Sequence, residues 1–373
     1  MFIPCPNQPR KILISLMLAG ALGSGSHVHA ATDAEIKLIY EAVRAQFLDI
    51  SSFCNLPEEE RRKTVTQTTM LLVSNRKVSD PFKSGPEAGR KLRQECGIDT
   101  TVDMSKVRWT VTATPLVFSN AERGSLSTLT SVQALANKVF TPAGDGPFPA
   151  VVINQTKGMS DHLKVHALEL MGAGFAVLVV DTFGPRHYKV GVNEPLPAEF
   201  AKDAYDALAH LITLPFIDKN RIFQTGYSYG GLASALLASP EGAREFGAKG
   251  RFRATVANYA ACTMAGSYTG VQSKTTQMDM LSVDSDRPIL MLMGELDIET
   301  PPNTCFPRLE EMKAAGKDVH WHIYPRTTHA WDKSEHNGHV YQSTSGESMV
   351  YRYDPIVSKD ATKRMISFFN LYR

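Results

Sequence analysis

Residues 226–231 read GYSYGG, a serine between two glycines with a third glycine behind. IFQT (222–225) precedes it and reads as a strand; GLASALLAS (231–239), rich in alanine and leucine, follows it and reads as a helix. Ser228 therefore falls on a strand-to-helix turn, where a G-x-S-x-G nucleophile elbow has to be. Such a turn is tight, so Gly226 and Gly230 occupy positions where a side chain would obstruct it. Gly231 would let the helix approach its neighbours closely. The N–H of Tyr229, at the helix N-terminus, would face an anion formed on a substrate. The alternative is a glycine-rich turn without chemistry, and the rest of the chain has to decide between them.

A serine hydroxyl is a poor nucleophile until a base takes its proton and a carboxylate orients the base. On a scaffold with such an elbow the chain order is serine, acid, histidine. Asp297 lies in MGELDIETPP (293–302), at a strand end before a proline-marked loop. His329 lies in YPRTTHAW (324–331), in the loop after the next strand. Both would emerge with Ser228 at the C-terminal edge of a parallel sheet. Glu295 and Glu299 flank Asp297 and compete with it as the acid; Asp297 is preferred because it ends the strand on a shorter, more rigidly held side chain. His320 and His322, two apart on a strand, share a face that also suits a metal pair, but no third ligand is evident. His336 and His339 follow in a polar loop, either as exposed groups or on the substrate side.

The remaining pattern supplies the sheet. Short apolar runs rich in β-branched residues recur at 150–154, 175–181, 222–228, 254–260, 288–297 and 319–325. Continuous apolar strands mark a sheet buried on both faces. Helical stretches at 162–173, 199–214, 230–238, 305–315 and 360–371 separate or follow them, so the expected fold class is α/β, a mostly parallel central sheet flanked by helices. VRWTVTAT (107–114) and VQALANKVFTPA (132–143) read as further strands. Residues 31–105 read differently, as an accessory helical region. Ile36, Ile39, Tyr40, Val43 and Phe47 lie at helical spacing behind Asp33, a second helix starts after Pro57, DPFKSGPEAG (80–89) reads as a loop, and Arg90–Glu95 as one or two more helical turns.

The 373 residues are 43% hydrophobic and 21% charged, ordinary for a globular chain. Arg10 and Lys11 precede an apolar run, Ile12–Gly23, and VHA closes at Ala30. Residues 1–30 thus read as a secretory signal peptide, the apolar run being too short for a membrane span. Without them the chain balances 38 basic against 38 acidic residues. Such a balance gives no electrostatic reason to expect nucleic acid or an anionic membrane as partner. Export to the periplasm or beyond suits the four remaining cysteines as disulfides. Of three possible pairings, sequence neighbours favour Cys54–Cys96 and Cys262–Cys305; four buried free thiols are the alternative. Each bridge would close a loop worth roughly 4 kcal/mol in chain entropy.

At GYSYGG, GELDIETPP, RTTHAW and the closing YDPIVSKDATKRMISFF (353–369), joined by LELMGAGFAVLVVDTFGPR (168–186), the chain resembles the α/β-hydrolase superfamily and, within it, the dienelactone hydrolase-like group. The resemblance covers roughly 107–373 and implies a catalytic domain at 106–373. It implies Ser228 as nucleophile, Asp297 as acid, His329 as base, no metal and no organic cofactor. It also makes a Cys262–Cys305 bridge near the active-site edge plausible. Dienelactone hydrolases proper use a cysteine nucleophile, so serine shifts the expectation toward hydrolysis of a small-molecule ester. Family members often carry a His-Gly-rich loop after the first core strand; here it reads NQTKGMSDH (154–162), with Gln155 and Thr156 at the His and Gly positions. The second oxyanion donor is then expected from a backbone N–H near Thr156 or Lys157, unless Lys157 instead meets an anionic substrate or only solvent. GYSYGG also resembles the serine motif of prolyl oligopeptidase-like peptidases, so a peptidase stays open, as does a non-catalytic binding protein on the same fold.

Overall fold

The computed structural model describes residues 33–79, 81–97, 111, 113–121, 131–265, 277–343 and 346–373. The signal-peptide expectation for residues 1–30 lies outside them. The chain divides into two compact units between Asp99 and Thr100.

The first unit is helical. Helix α1 (Asp33–Arg44) buries Ile36, Ile39 and Val43, the three- and four-residue stripe of the sequence. Helix α2 (Ile50–Cys54) starts on Asp49, whose carboxylate accepts from the Ser52 N–H. Helix α3 (Glu58–Ser74) follows Pro57. Helix α4 (Pro81–Glu95) corrects the expected loop at 80–89. Its prolines and glycines suggested a break, yet proline is at home in a first helical turn. Glycine there serves packing: a Cβ on Gly85 would stand 3.0 Å from Thr69 Oγ1 of α3. Ser84 of α4 also donates to Glu35 of α1 at 2.9 Å. Cys54 and Cys96 are joined, closing α3 and α4 into one loop from the end of α2.

The second unit is a layered α/β structure. In chain order its strands are β1 (Ser119–Asn120), β2 (Lys138–Phe140), β3 (Phe148–Asn154), β4 (Ala176–Val180), β5 (Ile217–Tyr227), β6 (Thr255–Asn258), β7 (Thr263–Ala265), β8 (Gln277–Asp279), β9 (Ile289–Gly294), β10 (Val319–Tyr324), β11 (Val340–Gln342) and β12 (Ser348–Val350). Its helices are α5 (His162–Gly172), α6 (Pro197–Ile212), α7 (Tyr229–Leu237), α8 (Pro240–Glu245), α9 (Phe306–Ala314) and α10 (Pro355–Leu371). Eight strands form one sheet in the order β1-β2-β4-β3-β5-β6-β9-β10. All its pairings are parallel except β2 with β4. The continuous apolar runs are explained by burial on both faces: α6, α7 and α9 cover one, α5 and α10 the other.

Two further sequence expectations need correction, at residues 132–143 and at the start of the last helix. VQALANKVFTPA is not one strand: Val132–Leu135 is a 3-10 turn capped by Ser131, and β2 starts only at Lys138. Asn137 divides the two with a left-handed φ of 56°, its side-chain oxygen accepting from the Asp181 N–H. The strand expected at 107–114 lies mostly outside the described residues, and Ala113 and Thr114 are irregular. The last helix starts earlier than its apolar periodicity suggests, because Asp354 caps it and Pro355 opens it.

Parallel pairing puts the C-terminal ends of β3, β5, β6, β9 and β10 along one edge. Ser228, Asp297 and His329 each follow one of those strands within five residues.

Candidate active site

Ser228 is the first residue after β5 and caps α7, with φ 51° and ψ −112°. A non-glycine residue held there stores about 1–3 kcal/mol of strain, which its surroundings must hold in place. They do so by close approach. A Cβ on Gly226 would stand 2.0 Å from the Gly230 carbonyl oxygen, and one on Gly230 would stand 2.4 Å from that of Gln155. Neither position admits a side chain. The Ser228 N–H donates to the Asn258 carbonyl at 2.9 Å, fixing the turn to the end of β6.

Three of the predicted residues meet. Ser228 Oγ lies 2.9 Å from His329 Nε2, and His329 Nδ1 lies 2.7 Å from Asp297 Oδ2. Asp297 is held from behind, its Oδ1 accepting from the N–H groups of Glu299 (2.9 Å) and Thr300 (2.8 Å). The Thr300 hydroxyl, which the sequence reading missed, lies 2.7 Å from Asp297 Oδ2 and 2.9 Å from the Tyr259 carbonyl oxygen. The other acids have different work. Glu295 accepts from the Arg326 N–H in the neighbouring turn. Glu299 stands 3.6 Å from His329 Nε2, on the serine side of the ring. Burial opposes a charge on His329, but Asp297 and Glu299 outweigh it and raise the imidazole pKa to about 9.

The loop after β3 lies against the elbow, with the Gln155 backbone beside Gly230. Thr156 is buried there, and its hydroxyl donates to the Gly158 carbonyl at 3.2 Å. Tyr229 opens α7, so its N–H belongs to the first turn, which has no intrahelical acceptor, and its phenol donates to the Pro195 carbonyl at 2.9 Å. Lys157 pairs with Glu194 at 2.6 Å and lies 5.1 Å above the Tyr229 ring. It ties the segment before α6 to Tyr229 while 38% of its side-chain surface stays exposed. Gln155 is fully buried, and its carboxamide has no hydrogen-bond partner among the described residues. Asn154, which ends β3, is buried too, its amide donating to the Phe200 carbonyl at 3.2 Å.

The remaining sequence candidates fall elsewhere. His320 lies 2.9 Å from Asp318, and His322 packs edge-on against Tyr324. The His336 ring lies 5.6 Å from that of His339 and edge-on against Tyr351, outside hydrogen-bond reach of the serine. Cys262 and Cys305 are joined. The Cys262 N–H also meets the Thr304 hydroxyl at 3.3 Å, so the loop that carries Asp297 is tied to the one after β6.

A family model for the prolyl oligopeptidase family matches residues 162–345, which span Ser228, Asp297 and His329. A Methylorubrum extorquens protein that carries the name carboxymethylenebutenolidase is 26% identical over 246 residues, 62% of this chain and 75% of its own. The chain is similar to the dienelactone hydrolase-like group of α/β-hydrolases, and these matches support a serine hydrolase. Solved structures similar to the hydrolase include one from Klebsiella pneumoniae described as a dienelactone hydrolase (20% identity, 61% of this chain and 88% of that one, TM-score 0.44). Esterase 2 of Thermogutta terrifontis is another, with 16% identity, 62% and 88% coverage and a TM-score of 0.47.

Proposed function

We propose that this hydrolase is an exported carboxylic ester hydrolase that works through an acyl-enzyme on Ser228, with His329 as base and Asp297 as the acid that orients it. The observation that carries this reading is the unbroken row from Ser228 Oγ through both nitrogens of His329 to Asp297 Oδ2, with links of 2.9 and 2.7 Å. In the first step His329 takes the Ser228 proton, and the oxygen attacks the ester carbonyl. The Tyr229 N–H, with a second from Thr156 or Lys157, would hold the oxyanion. His329 then protonates the departing alcohol. In the second step it activates water, and the acid leaves. Asp297 orients the ring and stabilises the imidazolium. Export is supported by the pattern of residues 1–30 and by two disulfides. We divide the chain accordingly into a signal peptide at 1–30, a helical accessory region at 31–105 and the catalytic domain at 106–373.

The test is a fluorophosphonate probe on protein produced from the full chain, with Ser228→Ala alongside and the labelled residue located by mass spectrometry. Label on Ser228, absent from the variant, is the expected result. A well-folded wild type that takes no label would sink the mechanism and leave a binding protein. The prolyl oligopeptidase match keeps one rival alive. Matched ester and amide substrates separate the two: turnover of peptide amides at rates comparable to esters would make the protein a peptidase.

A further inference from the structure

The proposed mechanism gives no part to Glu299, although its carboxylate stands closer to the reacting edge of His329 than any other described acid. Its Oε2 is 3.6 Å from Nε2, the nitrogen that meets Ser228 Oγ at 2.9 Å. Asp297, by contrast, sits on Nδ1. Glu299 is also held in place. Its N–H donates to Asp297, and its Oε2 accepts the hydroxyl of Tyr351. Burial and the adjacent Glu299 both push the Tyr351 phenol pKa upward, so Tyr351 remains a donor. The Glu299 side chain keeps 28% of its surface exposed. A fixed, partly open carboxylate therefore stands beside the nitrogen from which a leaving alcohol collects its proton.

The other groups facing His329 leave that charge largely in place. Asp297 and Thr300 approach from the loop after β9, Ser228 from the elbow, Tyr259 from the end of β6 and Tyr351 from beyond β12. Lys333, from the loop after β10, is the nearby cation, but its ammonium lies against Thr156 Oγ1 at 3.5 Å. Among the described residues no lysine or arginine is ion-paired with Glu299. We propose that Glu299 is a specificity-determining residue: it favours esters whose alcohol part carries a cation or hydrogen-bond donor near the scissile bond and disfavours those with an anion there. The proposal rests on the acyl-enzyme reading above.

The same carboxylate acts on the base. By favouring the imidazolium it moves the acid limb of kcat/KM, which needs neutral His329, to higher pH. The test is Glu299→Gln against wild type on three esters of one acid, with neutral, quaternary-ammonium and carboxylate-bearing alcohols, across the pH range of activity. The ammonium-to-carboxylate preference should fall about tenfold, as expected for one partly screened charge. The acid limb for the neutral ester should move down by about one pH unit, and Glu299→Asp should restore part of both. Equal losses on all three esters, with preference and limb unchanged, would overturn the proposal as a merely structural effect. A wild type that neither turns over esters nor takes the fluorophosphonate label would instead bring down the acyl-enzyme reading, and this proposal with it.

Discussion

The described residues contain two rows of acid, histidine and hydroxyl. One runs Asp297–His329–Ser228. The other runs Asp332–His166–Thr362, with His166 Nε2 2.8 Å from Asp332 and its Nδ1 3.0 Å from the threonine hydroxyl. The residue types and distances are nearly the same, with the ring nitrogens exchanged. The surroundings differ. Ser228 stands on a strained turn at a strand end, with the first N–H groups of α7 beside it. Thr362 is buried within α10, where its hydroxyl also meets the Ser358 carbonyl at 3.1 Å. Asp332 accepts a second hydrogen bond, 2.8 Å, from the Tyr259 hydroxyl, and the Tyr259 ring packs edge-on against His329. The second row is thus a buried brace behind the first, tying α5 and α10 to the loop that carries His329. A hydrogen-bonded triad does not by itself make a nucleophile: the hydroxyl also needs a partly open position and N–H donors for the anion, and half-buried Ser228, the proposed nucleophile, meets that requirement where Thr362 does not.

Exchanging the two histidines for glutamine would break this comparison most sharply. His329→Gln should lower kcat/KM by about 10⁴–10⁶-fold, the scale for removing a base that works as a unit with its serine. His166→Gln should stay within about tenfold of wild type in rate while losing stability to denaturant. If the folded His166 variant lost as much rate as the His329 variant, the second row would belong to the chemistry.

Asp332→Asn addresses the same brace through charge. Burial opposes ionisation of Asp332, but the field of His162 and the hydrogen bonds from His166 and Tyr259 outweigh it and hold the pKa at about 2. A carboxyl depressed below its unfolded value stabilises the fold above that value, near pH 4, and the contribution is lost as pH falls through about 2. Removing the charge should cost about 3–5 kcal/mol at neutral pH, because the amide oxygen can accept from only one of His166 and Tyr259 and the amide N–H2 then faces the other. Denaturant midpoints between neutral pH and acid would show it: wild type should lose stability below pH 4 more steeply than the variant. Parallel curves would mean that Asp332 carries no folded-state charge of consequence.

How far the sequence announced each row follows from separation along the chain. The strands could be read because burial on both faces leaves continuous apolar runs. Ser228, Asp297 and His329 could be read because each lies in a short motif at a strand end. The brace had no such signal. His162 and His166 sit one turn apart on α5, a hint of a shared face, and Asp332 lies three residues after His329. Their meeting across 166 positions is set by tertiary packing that no local pattern encodes. The same holds for Thr300, whose hydroxyl could be named only once the β9 loop was seen folding back on Tyr259. In α4 the local signals pointed the wrong way, because glycines that serve close helix packing look like loop glycines.

The smallest expected effect lies at the hydroxyl end of the brace. Thr362→Val keeps the shape of the side chain and removes only its oxygen. The threonine side chain is buried, so the change leaves His166 Nδ1 without its 3.0 Å partner and should cost about 1–2 kcal/mol. The rate should not change, since Ser228, His329 and Asp297 keep their contacts. The corresponding change at the other row, Ser228→Ala, should have the reverse profile, with turnover abolished and little loss of stability. Urea denaturation and ester turnover on the same preparations measure both. A Thr362→Val protein as stable as wild type but more than about tenfold slower would show that the brace sets the position of His329, so that the two rows act as one.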